Sequence, residues 1–322
     1  MKQKETQNAL ISYAFRTQKS DFKKCIAPEG LGTCYRETIR AHSIQNRQIL
    51  DALQRDGHVV MLKVTLDGPS NVRFGFEHIG RNNATTFTGL CNYHDSKIFK
   101  PIEESTIDTD DEYHLFLLAY RAATKQTHAS INSAYQAELL TKKKKDLGLL
   151  PVNELTDEEK QVYLLSISSH KTYLYKVKYD KAFLSHEYDR VCHNVIVIPS
   201  SEPKIAVNSL LTPRKKLHNE SAIERIALNI FLRDNETIAI FSYLREDKDF
   251  IYPHVSEILG SSDQERQYLL SKFILQYCEN FVISPSHFEI LSENSRNAMI
   301  KFFISTITED RLDFEDERLN LF

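Results

Sequence analysis

The sequence predicts an α+β protein: a small zinc-stapled ββα-metal-like module, a long helix, then a larger mixed domain with a largely antiparallel sheet. Three observations carry that expectation. The first ~110 residues are irregular and hold three of the five cysteines (25, 34, 91, 192 and 278). From Tyr113 to Leu147 the chain contains no glycine or proline and is rich in Ala, Leu and Gln. After Pro151 come several short β-rich runs, two of them joined by the polar turn RDNE, a hairpin signal. The expected organisation is residues 1–110 as the metal module, 111–150 as a connecting helix, and 151–322 as an α+β sensing or interaction domain.

Each element has its own local reason. In IRAHSIQNRQILDALQRDG a strand ends near His42, and a helix is expected from about Ser43 to Asp56. Ser43 is placed as its N-cap, with Ile44, Ile49, Leu50 and Leu53 roughly on one face. HVVMLKVTL and NVRFGFEHI flank DGPS and read as a hairpin. LCNYHDSKIF opens a short apolar helix, and the acidic stretch Glu103 to Glu112 is a solvated boundary. The Lys142–Lys145 run suits the C-terminus of the long helix, where cations offset the negative dipole end. KTYLYKVKY, NVIVIP, KIAVNSLL, ALNIFL and TIAIFSYL are expected as strands, with helices at about 264–278 and 293–307.

Composition bounds the function. The chain of 322 residues is 41% hydrophobic and 26% charged, the balance of a soluble globular protein. No apolar run approaches a membrane span, and the start MKQKETQNALISYAF lacks the apolar core of a signal peptide, so no membrane and a cytoplasmic location are expected. In that reducing compartment an odd set of cysteines favours metal ligation over a disulfide framework. Only 9 glycines are present, with no Gly-rich phosphate loop, nucleophile elbow or His-Glu-x-x-His. Residues 1–100 carry 15 Lys/Arg against 9 Asp/Glu, a net +6 in a chain whose total is −3, which points the first part toward phosphate.

The chemistry concentrates in two stretches. KKCIAPEGLGTCYRETIRAHSI places Cys25 and Cys34 around a Pro/Gly-containing loop, with His42 following. Cys91 and His94 stand in Cys-x-x-His spacing at a helix start. Two sulfurs from a loop and a sulfur and imidazole from a helix start make a four-ligand zinc set of Cys₃His type. The alternative is that Cys25 and Cys34 are ordinary buried thiols. His42 equally reads as a hydrogen-bonded core histidine, and Asp95 as a helix N-cap or first-turn acid. His58, His78, His114, His128 and His193 read as structural, and Cys278 as core on a helix face with Phe273, Ile274 and Tyr277.

His42 at the end of IRAHSI, followed at a distance by LCNYHDSKIF, resembles an HNH (ββα-metal) nuclease of the zinc-stapled type over about residues 20–105. The resemblance implies zinc on Cys25, Cys34, Cys91 and His94, with His94 in the place of the last cysteine. It implies His42 as the base that deprotonates water and Asp95 as ligand to a catalytic Mg²⁺ or Mn²⁺. The activity expected is metal-dependent hydrolysis of phosphodiester bonds in nucleic acid, DNA in preference to RNA. The architecture is similar to bacterial nuclease effectors of phage defence. The chain departs from the family at Ala41, where an acidic or histidine ligand usually precedes the catalytic histidine. The middle asparagine falls near Thr86, with Asn82 and Asn83 out of register. The rival reading is a non-catalytic zinc-binding module that recognises nucleic acid or a protein partner, and the C-terminal part is expected to bind a partner or a second copy of the chain.

Overall fold

The β-rich runs after Pro151 are apolar at nearly every position, which an amphipathic surface strand would not be. IAVNSLL, for instance, is buried throughout. The computed structural model, which describes residues 20–66, 72–213, 224–308 and 316–322 together with 10, 13 and 17, accounts for this. IAVNSLL, ALNIFL and TIAIFSYL lie in a sheet covered on both faces, whereas NVIVIP runs along its edge with Val195 and Val197 exposed.

The strands are β1 (Thr38–His42), β2 (His58–Leu66), β3 (Val72–Gly80), β4 (Thr86–Cys91), β5 (Val191–Pro199), β6 (Ile205–Leu211), β7 (Ile226–Arg233), β8 (Glu236–Leu244) and β9 (Phe281–Ile283). Among the described residues the large sheet has the order β3-β2-β9-β6-β7-β8-β5, and every pairing in it is antiparallel. β1 and β4 form a separate two-stranded ribbon, with Thr38 opposite Cys91 and His42 opposite Thr86. The principal helices are α1 (Asn92–Glu104), α2 (Glu112–Asp146), α3 (Asp157–Ser185), α4 (Lys248–Gly260), α5 (Asp263–Tyr277), α6 (Pro285–Ile290) and α7 (Glu293–Thr308).

The two faces separate by alternation along each strand. Val59, Met61, Ile238 and Ile240 pack toward α1, α2 and α3, with Phe99, Phe116, Tyr120, Tyr175 and Tyr179. Val60, Ala239, Phe241 and Tyr243 face the other way, toward α4, α5 and α7, with Ile251, Phe273, Ile274 and Phe302. The β2–β3 hairpin, although it precedes α2 in the chain, joins this sheet where Val60 pairs with Ile283 of β9. The sheet therefore runs across the boundaries expected near residues 110 and 150. Pairing of residues so distant in sequence leaves no local trace.

Two expected elements differ. KTYLYKVKY is not a strand but part of α3. Thr156 and Glu159 form a reciprocal capping box at that helix's start, and Thr172, Tyr175, Lys176 and Tyr179 are buried at helical spacing. The alternation of Tyr173, Tyr175, Val177 and Tyr179 that suggests a strand is a by-product of an aromatic-rich helix. The helix expected over Ser43 to Asp56 shrinks to a π-type turn, Asn46–Leu50, and one α turn, Asp51–Leu53. Ser43 does not cap it, because its hydroxyl donates to Thr85 O at 3.0 Å and accepts from Asn280 Nδ2 at 2.9 Å. The hairpin of β2 and β3 forms as expected, while its turn DGPS and most of the segment MKQKETQNALISYAF lie outside the described residues. No helix among the described residues is long and apolar enough to cross a membrane.

Candidate metal centre

Cys91 ends β4 and His94 lies in the first turn of α1, so one residue type finishes a strand while the other begins a helix. The loop carrying Cys25 runs beside β4, held where Ile26 N donates to Gly89 O at 2.8 Å. Gly89 also lets α2 approach closely, since a Cβ on it would stand 3.0 Å from His128 Cβ. The same loop turns back through Gly30 and Gly32, both at positive φ, and Gly32 also faces the Tyr93 hydroxyl, 2.8 Å from where a Cβ would stand. Lys97 Nζ donates to Leu31 O at 2.6 Å and Tyr93 Oη to the same oxygen at 3.3 Å, which ties the loop to α1.

These constraints bring the ligand atoms of Cys25, Cys34, Cys91 and His94 within 4.8 Å of one another, a group that could hold a metal ion. His94 Nδ1 stands 3.3 Å from Cys25 Sγ and 3.4 Å from Cys91 Sγ. Zinc at ~2.3 Å from sulfur and ~2.0 Å from nitrogen would set tetrahedral neighbours about 3.6 Å apart, so the spacing fits. Backbone N–H groups already point at the sulfurs: Cys91 N at Cys25 Sγ and Arg36 N at Cys34 Sγ, each at 3.4 Å. Arg36 adopts φ 65° to close that turn.

The protonation pattern agrees with a site that wants a cation. Burial pushes the Cys25 thiol up to about 11, so without a counter-charge it holds its proton. At Cys91 burial also acts upward, but backbone hydrogen bonds at His94 and Tyr35 and the thiols of Cys25 and Cys34 outweigh it, and the group is held below its ordinary value. Burial, then Lys97, lowers His94, which keeps the imidazole neutral and its lone pair available. His94 Nε2 is buried without a hydrogen-bond partner, so the ring is oriented by Nδ1 and by the edge-on ring of Tyr93 at 5.2 Å. Cys25, Cys34 and His94 line a groove of about 830 Å³ against Tyr173, Asp180 and Lys181 of α3, and of the three cysteines in the group Cys34 is the exposed one.

No protein-family model, curated protein or solved structure matches this chain. The reading therefore rests on the residues themselves.

The expected catalytic pair lies elsewhere in the same unit. His42, half-buried at the end of β1, has Nε2 3.2 Å from Arg81 O, and burial holds its pKa below the ordinary value against the pull of that carbonyl. Asp95 is half-buried on α1, and burial raises its carboxyl, with Arg121 opposing. Both residues feel the same two charges, Glu103 and Arg121. Arg121 is 2% exposed, forms an ion pair with Glu103 and lies 4.3 Å over the Phe99 ring. The cavity beside Arg121, lined by Ser43, Gln45, Ile102 and Asn208, is about 10 Å³, room for one water.

The structure does not bring His42 and Asp95 together with a third His, Cys, Asp or Glu as a metal-holding group among the described residues. The carboxylate that would complete a hard-cation shell, Glu103, is already bound by a guanidinium. A Mg²⁺ or Mn²⁺ ion on Asp95 would therefore have to complete its shell from water or a nearby asparagine. Asn83 accepts from Arg40 and Asn82 from Asn46, and neither hydrogen-bonds His42. Sequence reasoning passed over Arg121. The signal was an arginine inside LFLLAYRAAT, where a buried cation needs an acidic partner.

Proposed function

We propose that this chain is a zinc-binding protein whose β1–β4–α1 unit recognises nucleic acid without cutting it. The gathering of Cys25, Cys34, Cys91 and His94 carries the reading. The set is soft and closed, three thiols and one imidazole, which is the composition of a structural zinc site and not of one that keeps a position open for substrate. Bound zinc would supply folding free energy by cross-linking the Cys25–Cys34 loop to the β4–α1 junction. The net +6 of residues 1–100 supports a phosphate-bearing partner, DNA in preference to RNA.

A second reading is favoured by topology. A two-stranded antiparallel ribbon followed by a helix, with His42 closing the first strand, is the order expected of an HNH nuclease. In that reading His42 takes a proton from water during phosphodiester hydrolysis. One experiment separates the two. Purified protein is incubated with labelled duplex and single-stranded oligonucleotides, with and without Mg²⁺ or Mn²⁺, beside the His42→Ala variant. The first reading expects salt-sensitive binding and intact substrate in every lane. Cleavage by the parent that vanishes in His42→Ala would establish the second reading, and absence of binding would reject both.

A further inference from the structure

A separate cleft of about 580 Å³ opens between the ribbon, β2 and α2, lined by Arg40, Lys63, Asn83, Thr86, Lys125 and Asn132 with Asp21 as its acid. Its cations come from three elements: Arg40 from β1, Lys63 from β2 and Lys125 from α2. Lys63 and Lys125 are close enough to repel, and Lys125 is half-buried. Its amine is lowered by burial first, with Glu279 pulling it up and Lys63 pushing it down. Arg40 donates one guanidinium N–H to Asn83 Oδ1 at 3.2 Å. Among the described residues none of the three cations makes an ion pair with a carboxylate. Like charges held together in a partly desolvated cleft cost free energy unless an anion joins them.

The neutral groups point the same way. Asn132 Oδ1 accepts from Phe22 N at 2.8 Å, just as Asn83 Oδ1 accepts from Arg40. Each asparagine therefore spends its carbonyl oxygen on a protein donor and has its amide N–H₂ to offer. Three cations and two amide donors around one space make a lining of donors, the complement of phosphate oxygens.

We propose that this cleft binds the phosphodiester backbone of nucleic acid, with Arg40, Lys63 and Lys125 on phosphate oxygens and the Asn83 and Asn132 amides hydrogen-bonded beside them. The choice of nucleic acid over a smaller phosphate compound rests on the function proposed above; the anion site itself does not. Because the contacts are to phosphate, the site positions a strand and carries no sequence preference.

The test uses the full zinc-loaded chain. Binding of labelled oligonucleotides is measured against salt for the parent, for Arg40→Gln and for the double variant Lys63→Gln/Lys125→Gln. Inorganic pyrophosphate is tested in parallel by thermal shift. Loss of two phosphate contacts should weaken binding at least about tenfold and lower the salt slope by about 2, equally for different sequences. Zinc content and melting temperature report that the fold is kept. Should the double variant fail to fold, exposed Arg40→Gln gives the same readout with a slope change of about 1. Equal binding by parent and variants overturns this site while leaving nucleic-acid recognition in place. Lysine-dependent binding of pyrophosphate without any oligonucleotide binding rejects the nucleic-acid reading and overturns the backbone assignment, leaving a small phosphate compound as the occupant. Binding of neither probe overturns both.

Discussion

At the Cys91 end of the β1–β4 ribbon, three sulfurs and an imidazole converge, with no carboxylate in the group among the described residues; at the His42 end, two polar groups are already engaged. His42 meets a backbone carbonyl, and Glu103 meets Arg121. The first end is a set of donors that could hold a cation. The second has its positive charge built into the chain as a guanidinium. Two sites that look alike as sequence, each a histidine near an acid or a cysteine, differ because one gathers four metal-ligand atoms and the other sets its acid Glu103 against a guanidinium.

The largest expected effect breaks the first end. Cys91→Ser, or prolonged chelation, should remove the metal and unfold the β1–β4–α1 unit, since structural zinc binding is worth on the order of 10 kcal/mol. Cys34→Ser should do less harm, because Cys34 is exposed whereas Cys91 is buried. Circular dichroism melts of both variants with and without added zinc check the order.

Next comes the second end. Arg121→Ala should cost about 3 kcal/mol by opening a hole beside Phe99 and leaving the partly buried Glu103 unpaired. Arg121→Met, which keeps the contact with Phe99, should cost less, and adding Glu103→Gln to it should recover part of the loss. Urea titrations give the values. If Arg121→Met instead gains divalent-ion binding at Glu103 and Asp95, the guanidinium is acting as the built-in cation.

A smaller effect sits between the two ends. Gly89→Ala places a methyl 3.0 Å from His128 Cβ, so β4 must move off α2 at a cost of about 1–3 kcal/mol. Because Gly89 O also holds Ile26, the same change should weaken zinc retention, measured as release to a chelator.

A further effect is a pH dependence in the large sheet, away from both ends, absent near neutral pH. Burial lowers His193 on β5 to about 4, with Nδ1 2.8 Å from Ser242 Oγ. Its folded pKa lies below its unfolded one, so the unfolded chain binds more protons as pH falls from about 6.5 toward 4, and stability drops across that window. His193→Gln should flatten the slope of stability against pH there. An unchanged slope would place the proton uptake elsewhere.

Much of this architecture was legible in the sequence, and the gaps have physical causes. Largely apolar runs announced β5 to β8, and the run without Gly or Pro from Tyr113 announced α2, because local pattern and local structure agree there. The four side chains that cluster as a possible metal site were legible by residue type and spacing. α3 was misread since its tyrosines alternate like a strand, although the capping box at Thr156 and Glu159 marked a helix start. The passage of β2 and β3 into the large sheet rests on one pairing with β9, more than two hundred residues away, and no local window contains it. The occupation of the His42 end by Arg121 was hidden for the same reason: the guanidinium comes from α2. The cations of the proposed cleft come from three elements, and singly each looks like a solvated surface residue.

Elemental analysis of freshly purified, full-length protein, paired with counting of thiols reactive under native conditions, tests the account most directly. About one zinc per chain is expected, with Cys25, Cys34 and Cys91 unreactive until a chelator is added and reactive together afterwards. Protein that carries no zinc, takes up none on titration, and exposes Cys34 alone to reagent while Cys25 and Cys91 stay buried would contradict it, leaving those cysteines as ordinary core thiols.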